Sequence, residues 1–246
     1  MIGGGILNED VKALGINLLN NLIWFVAGAC SATVLTMARR SVRPRFWTQM
    51  LKGEVVLVVG AHRNFDGYEA SGMIGVADAL ALAEFVSFFK QCKFDNYTVA
   101  SSRSINSEMF TRNLILIGGP DANATSRDFL ERSNKVRKVK FGNPDVNEIW
   151  FSLDGQYYAP SHAPSAKDAA VIIFDRSPYS EDAHVILAAG CFGHGTQAAA
   201  QTLCRSRSFG KKVRRRDRFE AALTCEVVEH RPMAIKVRQV LPRPIV

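Results

Sequence analysis

The sequence has few cysteines, and none of them falls in the spacing of a metal or redox motif. The five cysteines are an odd number and widely spaced, and no C-x-x-C pair or accompanying histidine cluster occurs. Structural zinc sites and disulfide frameworks depend on such pairs. We therefore predict no metal site, and the unpaired cysteines indicate a reducing compartment.

Several catalytic and nucleotide-binding signatures are missing as well. Neither G-x-G-x-x-G nor G-x-x-x-x-G-K-[ST] occurs, so the dinucleotide fingerprint and the P-loop are not supported. The G-x-S-x-G elbow, a paired Cys-His motif and a carboxylate-rich metal-binding run are also missing. No cofactor is established by motif, and a catalytic role has no signature behind it.

The composition describes a folded, basic chain. Of its 246 residues 47% are hydrophobic, which excludes a chain that is disordered as a whole, and the net charge is +8. The positive charge is concentrated in two segments that suit an acidic membrane leaflet or another polyanion. Nucleic acid is not favoured, because few aromatic residues accompany the second segment. The residues predicted to make this contact are Arg39, Arg40, Arg43, Arg45, Lys211, Lys212, Arg214, Arg215 and Arg216.

The longest uncharged run is Ala13–Ala38, which Lys12 precedes and an arginine-rich segment follows. A helix of 26 residues at about 1.5 Å each spans a hydrocarbon core of about 30 Å. We predict a transmembrane helix over 13–38, after a short tail over 1–12, with the rest of the chain on the cytoplasmic side of the inner membrane. A cleaved signal peptide and a buried core helix are the alternatives.

One face of that predicted helix carries polar and small residues at intervals of three and four. Membrane helices associate through such faces, by close backbone approach and by hydrogen bonds between amide side chains. We therefore predict a homo-oligomer formed through this face. Its residues are Asn17, Asn20, Asn21, Trp24, Gly28 and Ser31.

The remainder divides into a basic linker over 39–53 and a cytoplasmic domain over 54–246. The linker carries Phe46 and Trp47, a composition suited to the lipid headgroup layer. In the domain, Val55–Val59, the run YTVA and Asn113–Gly118 are predicted strands, and Met73–Cys92 is a predicted helix. This succession predicts an α/β fold with a Rossmann-like mixed sheet.

The second half of the domain is richer in strands. The runs VRKVKF, EIWFSLDGQYYAP and AAVIIFD predict an antiparallel extension. Val185–Gly190 returns to a buried strand, and a helix follows from about Thr196 to Arg205. The C-terminal part predicts a β-hairpin at the sheet edge, with its turn at residues 230–232.

Three glycine-bearing loops follow three predicted strands, at 60–67, 118–126 and 190–196. Loops at the carboxyl ends of parallel strands share one edge, where ligands bind. Glycine lets a ligand approach the backbone, and the N–H groups at a helix start favour an anion. We therefore predict a pocket for a nucleotide-like ligand, with tight turns that bind nothing as the alternative. Its predicted residues are His62, Arg63, Asn64, Gly119, Asp121, Asn123, Gly193, His194, Gly195 and Thr196.

The runs LILIGGPDANATSR, VILAAGCFGHGTQAAAQTL and FEAALTCEVV resemble a Rossmann-like domain of prokaryotic proteins, in which it is attached to membrane helices or helix-turn-helix regions. The resemblance covers about residues 54–240. It implies a module that senses a ligand or binds a protein partner in signalling or anti-phage defence, and it implies no catalytic residue. The residues that carry it are Gly118, Gly119, Pro120, Asn123, Gly193, Gly195, Thr196, Ala198 and Ala199.

Together these observations predict a membrane-anchored signalling or defence effector. Its cytoplasmic domain would sense a nucleotide-like ligand or a protein partner from the same system, then drive oligomerisation and perturb membrane lipids. A membrane-tethered nucleotide or nucleoside hydrolase that uses His194 or a loop carboxylate is the first alternative. A non-catalytic scaffold is the second.

Overall fold

The computed structural model describes residues 24–26, 28, 44–61, 73–133, 138–142, 149–161 and 166–242. The chain divides into two compact units, residues 1–43 and 44–246. In the first unit, Trp24, Phe25, Val26 and Gly28 are helical and exposed.

The prediction of a transmembrane helix is wrong for the part of the chain that the structure describes. A membrane span needs about 20 predominantly apolar residues in one helix. None of the described helices combines that length with that apolar character. The fold class with a membrane helix, and the single-pass location in the inner membrane, are corrected accordingly. Residues outside the described ranges include Asn17, Asn20, Asn21, Ser31, Arg39, Arg40 and Arg43.

The predicted linker contributes a helix to the core of the second unit. In Arg45–Met50, the side chains of Phe46, Trp47 and Met50 are fully or almost fully buried. The Trp47 indole Nε1 donates a hydrogen bond of 3.0 Å to the Leu203 carbonyl. These aromatic residues therefore pack inside the protein and do not face a lipid headgroup layer.

The second unit is an α/β structure with a mixed sheet of seven strands and a small sheet of three. The α/β class and the mixed sheet are thereby confirmed. The strands are β1 (Val55–Val59), β2 (Tyr97–Ser101), β3 (Asn113–Ile117), β4 (Val139–Phe141), β5 (Phe151–Leu153), β6 (Gln156–Tyr158), β7 (Lys167–Arg176), β8 (His184–Gly190), β9 (Phe219–Val228) and β10 (Arg231–Pro242). The helices are α1 (Arg45–Met50), α2 (Val76–Cys92), α3 (Ser107–Phe110), α4 (Ala124–Arg132), α5 (Gly193–Arg205) and α6 (Arg207–Val213).

The strands of the main sheet follow the order β10-β9-β7-β8-β3-β1-β2. Strands β2, β1, β3 and β8 are parallel to one another, whereas β7 is antiparallel to β8, β9 to β7 and β10 to β9. The predicted antiparallel extension and C-terminal hairpin are both present. Strands β4, β5 and β6 form the small antiparallel sheet.

Successive residues of the buried strands point to two separate cores, one on each face of the main sheet. In β1, Leu57 packs with α1, α2, α5 and α6 on one face, and Val58 packs with α4 and the small sheet on the other. Strands covered on both faces read as continuous apolar runs, as observed. The helix that follows β1 and the helix that follows β3 therefore cover opposite faces.

The two edges of the main sheet differ in length. Strand β2 has five residues and β10 has twelve. The pairing of β10 with β9 shifts register between Met233 and Lys236 and again between Val237 and Gln239. Ala234, inside the first shift, has a φ of 46°. The long edge strand is therefore irregular at two places.

Candidate ligand-binding cleft

A cleft of about 810 Å³ lies at the carboxyl ends of β3 and β8, beside the start of α2. Strands β1 and β3 are neighbours whose following helices cover opposite faces. In an open α/β sheet this reversal of direction creates the crevice in which ligands bind. The predicted loops after β3 and β8 thus meet at one cleft. Its lining includes residues of α2, of both loops, of the start of β7 and of the β9–β10 hairpin.

The start of α5 is occupied by a carboxylate from β7. Asp168 Oδ2 accepts a hydrogen bond of 2.6 Å from Gly195 N, and Oδ1 accepts bonds from Phe192 N (3.1 Å) and Ala169 N (2.7 Å). An anion is favoured at a helix N-terminus, and here that anion belongs to the protein. The predicted anion site at residues 193–196 is therefore filled from within.

The glycines of this loop allow the helix to start directly against two strands. A Cβ on Gly195 would lie 2.4 Å from the Ala169 carbonyl oxygen, and a Cβ on Gly190 would lie 2.4 Å from Thr196 N. A Cβ on Gly193 would lie 2.8 Å from the Cβ of Ala77 in α2. Because such contacts leave no room for a side chain, close packing accounts for these glycines. Helix α5 begins at Gly193, earlier than the predicted Thr196.

Burial dominates the ionisation of the acidic and thiol groups here. Burial raises the pKa of Asp168 from 3.8 to about 6, against the opposing effect of its hydrogen bonds from Gly195, Phe192 and Ala169. Burial, together with the nearby Asp168 carboxylate, raises the pKa of Cys191 to about 12. Since the thiolate is the nucleophilic form, Cys191 is not suited to nucleophilic catalysis.

The loop after β3 contains an exposed carboxylate, Asp121, and a buried amide, Asn123. Asp121 is exposed and lines the cleft, and its Oδ1 would lie 2.6 Å from a Cβ on Gly119. Asn123 is fully buried and does not line the cleft. Its Nδ2 donates to the carbonyls of Val58 (3.1 Å) and Ile117 (3.0 Å).

Asn123 also caps α4. Its Oδ1 accepts hydrogen bonds from Thr125 N (3.0 Å) and Ser126 N (3.1 Å). Asn123 is thus the N-cap of this helix. Asn123 therefore joins β1, β3 and α4, which assigns it to structure and not to ligand contact.

The start of α2 faces the same cleft. Its N-cap is Gly75, and no side chain caps this helix among the described residues. Asp78, in the first turn, is buried and lines the cleft, and its Oδ2 would lie 3.8 Å from a Cβ on Gly118.

Two histidines and a lysine line another side of the cleft. His194 lies in the first turn of α5, and His230 lies in the turn between β9 and β10. Their ring centroids are 6.4 Å apart. Burial, followed by the charge of His230, lowers the pKa of His194. The Lys167 side chain enters from the start of β7 and is exposed.

The remaining predicted residues divide by location. Gly119, Asp121, Gly193, His194 and Thr196 line the cleft. Gly195 lies behind it and packs on β7, and Thr196 is buried with its Oγ1 accepting a 3.0 Å bond from Gly190 N. The predicted ligand residues His62, Arg63 and Asn64 lie outside the described ranges.

The second basic segment is an exposed surface on and after α6. Lys211, Lys212, Arg214 and Arg215 are exposed, and Arg216 is half-buried. Arg45, from the first basic segment, forms a salt bridge of 2.9 Å with Asp217. These residues are not part of the cleft lining.

Sequence reasoning missed Asp168 and His230 altogether. The available signal for Asp168 was an acidic residue directly before the apolar run Ala169–Phe174. A related signal was residues 193–198, GHGTQA, which fit the variant dinucleotide fingerprint with alanine in its last place. That fingerprint depends on open N–H groups, and here the Gly195 N–H is bonded to Asp168.

The chain was compared with protein-family models and with curated proteins. No protein-family model matches the chain, and no curated protein matches it. Among the described residues, no group of three or more His, Cys, Asp or Glu side chains is arranged to hold a metal ion. The assignment of function therefore depends on the cleft.

Proposed function

We propose that residues 44–242 form a sensor domain that binds a nucleotide-like small molecule in the cleft between α2, α5 and the loop after β3. The observation that carries this proposal is the place of the cleft at the reversal of helix direction between β1 and β3. Nucleotide-type ligands bind at that point in open α/β sheets. The cleft volume of about 810 Å³ lies within the range of small-molecule sites.

The lining supports an amphipathic ligand. Val76 and Leu80 of α2 and Phe192 before α5 are apolar, exposed and directed to the cleft. Exposed apolar side chains around a concave surface are typical of ligand sites. A nucleobase would pack on such side chains, and the carboxylates of Asp78 and Asp121 would accept hydrogen bonds from ribose hydroxyls.

Binding without turnover agrees best with the chemistry of the lining. The raised pKa of Cys191 disfavours a thiolate, and the Asp168 carboxylate already accepts three backbone hydrogen bonds. The signalling or defence role, a homo-oligomer and a protein partner stay predictions of the sequence. For any of them, the ligand must bind one state of the protein more tightly than another.

The direct test is a ligand panel read by thermal stability. Nucleosides, nucleoside 5′-mono- and triphosphates and cyclic dinucleotides are added one at a time, and a binder raises Tm by mass action. Phe192→Ala should weaken the binding of any hit about tenfold to a hundredfold, because base stacking contributes about 1–3 kcal/mol.

The matched control is Tyr157→Ala, an exposed aromatic residue of β6 that does not line the cleft. It should leave the affinity unchanged. If no member of the panel raises Tm, or if Phe192→Ala and Tyr157→Ala behave alike, this cleft is not a nucleotide site.

A nucleoside hydrolase is a second candidate, because Asp78 and Asp121 line the same cleft as His194. Cleavage of a glycosidic bond uses paired carboxyl groups. Chromatography of each bound panel member after incubation separates the two candidates. A hydrolase would release the free base, and Asp78→Asn or Asp121→Asn would retain binding and lose release. An intact ligand favours the sensor.

A further inference from the structure

Two histidines from distant parts of the chain face each other at one side of the cleft. His194 comes from α5 and His230 from the β9–β10 turn, with ring centroids 6.4 Å apart and planes inclined by 33°. This separation is too long for a direct ring-to-ring hydrogen bond. An oxygen atom that accepts from one nitrogen of each ring, at about 2.8 Å from each, would fit this separation.

The turn that presents His230 has an unusual conformation. Its two central residues, Glu229 and His230, have φ values of 48° and 59°. A two-residue turn of this kind favours Asn-Gly, because other residues adopt positive φ at a cost. A turn that keeps two unfavourable residues, one of them at a cleft, indicates a role for the side chain that it presents.

His194 has one ring nitrogen without a hydrogen-bond partner. Its Nδ1 is buried and unpaired within the described part of the chain, as is the Nδ1 of His184 outside the cleft. A buried polar atom without a partner is uncommon and calls for a ligand or a water molecule. The Asp168 carboxylate does not serve as that partner, since it is bonded to the N–H groups of Gly195, Phe192 and Ala169.

The carboxylates of Asp78 and Asp121 are on different elements from the basic groups of the cleft. Lys167, His194 and His230 come from β7, α5 and the β9–β10 turn, whereas Asp121 follows β3 and Asp78 lies near Gly118. The third carboxylate, Asp168, is next to Lys167 and is bonded to the N–H groups at the start of α5. A nucleotide has an anionic phosphate at one end and hydroxyl donors on its sugar. Besides the two histidines, the described charged and titratable side chains of the cleft lining are Asp78, Asp121, Lys167, Asp168 and Cys191, and Glu229 and Arg231 flank His230 in the chain.

We propose that His194 and His230, with Lys167 beside them, bind the anionic group of the ligand, and that binding takes up protons. This inference rests on the proposed function for the identity of the ligand, but not for the anion site itself. Both histidines donate only when they carry the necessary protons. The lowered pKa of His194 keeps it neutral near pH 7 in the unbound protein. A bound anion favours the protonated form.

The first test measures the anion site without a nucleotide. The pKa values of the histidines are followed by NMR of the full chain with and without sodium sulfate, whose charge is constant between pH 5 and 8. We expect saturating sulfate to raise the pKa of His194 and His230 by about one. The reference is His184, at the opposite end of β8 and outside the cleft. Burial, followed by nearby Arg176, Arg218 and Lys52, lowers its pKa, so it reports the general effect of salt, and its pKa should rise less than those of the two cleft histidines.

The second test uses binding calorimetry with adenosine 5′-monophosphate, its 5′-sulfate analogue and adenosine between pH 5.5 and 8. Affinity for the 5′-sulfate analogue, whose charge is constant over this range, should rise as the pH falls, by up to tenfold per pH unit for each proton taken up. Adenosine 5′-monophosphate should show the same rise only above about pH 6, because its phosphate takes up a proton below that pH. Adenosine should show no such dependence. His194→Gln and His230→Gln should each remove part of the dependence, and His184→Gln should leave it unchanged.

The outcomes separate the two proposals. If nucleotides bind while sulfate leaves both histidine pKa values unchanged, the anion site is wrong and the proposed function stands. If sulfate shifts both pKa values and no nucleotide of the panel binds, the anion site stands and the nucleotide assignment fails. If neither effect is seen, both are overturned.

Discussion

The starts of α2 and α5 face one cleft, and they differ in what occupies their backbone donors. Helix α5 begins at Gly193 and receives the Asp168 carboxylate, whereas α2 follows Gly75 and has no side-chain cap among the described residues. Glycines at the two helix starts therefore serve different structural purposes. At α5 they permit contact with a strand, and at α2 the backbone is left accessible from the cleft.

The largest effect is expected for a substitution that disrupts the packed start of α5. Gly195→Val should lower the free energy of unfolding by about 3 kcal/mol or more, because its Cβ would meet the Ala169 carbonyl at 2.4 Å. For a domain of this size Tm should fall by about 6–12 °C. The control is Gly53→Ala, whose Cβ makes an ordinary contact of 3.6 Å. Equal melting of the two variants would contradict the packing role.

The next effect concerns the internal cap and its pH dependence. The pKa of Asp168 is raised from 3.8 to about 6, so the folded state holds this proton more tightly than the unfolded chain. Stability therefore falls as the pH rises through this interval. Between pH 3.5 and 7 the wild type should lose about 3 kcal/mol relative to Asp168→Asn, which cannot ionise.

Urea denaturation of both proteins across that pH range measures the difference. Comparison with Asp168→Asn cancels the titration of groups that the two proteins share. Parallel stability profiles would show that Asp168 titrates alike in the folded and unfolded states, and the hydrogen bonds from α5 would then compensate fully for its burial.

The smallest effect is expected for a substitution that adds an N-cap side chain to α2. Gly75→Ser adds a capping hydroxyl and should stabilise the fold by a few tenths of a kcal/mol, the usual difference between glycine and a better N-cap. Phe192→Ser at the N-cap of α5 should give no such gain, because Asp168 already bonds the Gly195 N–H. A shift in the urea midpoint is the measurement. An equal gain at both helices would remove the distinction between them.

The parallel strands were predictable because they are buried on both faces. Val55–Val59 appears in the structure with the predicted bounds, and the runs around β3 and β8 are as continuous and apolar. A continuous apolar run indicates that a strand is buried on both faces, whichever elements pack against it. Because parallel strands end at one edge of a sheet, the loops that follow them were expected to lie together. The loops after β3 and β8 do border one cleft.

The errors concern contacts between distant residues. The run with Phe46 and Trp47 has the composition of a membrane interface, but these side chains contact Phe174, Phe219 and Leu203. A hydropathy pattern does not distinguish an aromatic segment that faces lipid from one that meets a core. For Ala13–Ala38, the length, the lack of charge and the arginine-rich flank led to the prediction of a membrane helix, whereas no described helix is long and apolar enough to be one.

Of the three predicted loops, those after β3 and β8 border the cleft, whereas residues 62–67 of the first lie outside the described ranges. The pairing of Asp168 with α5 joins residues 27 positions apart, and His194 meets His230 across 36 positions. No local pattern encodes either contact, since each depends on how β7 and β9 are added to the parallel strands. The loops after β3 and β8, by contrast, follow strands directly and were found.

The irregular pairing of β10 has a consequence for assembly. Its register shifts interrupt the row of backbone groups that another chain would use to extend the sheet, and Lys236 and Arg238 are exposed along it. Natural sheets prevent uncontrolled strand addition by such means. The opposite edge, β2, offers only five residues. Neither border of the main sheet therefore provides a long regular template for fibre-like stacking of this protein.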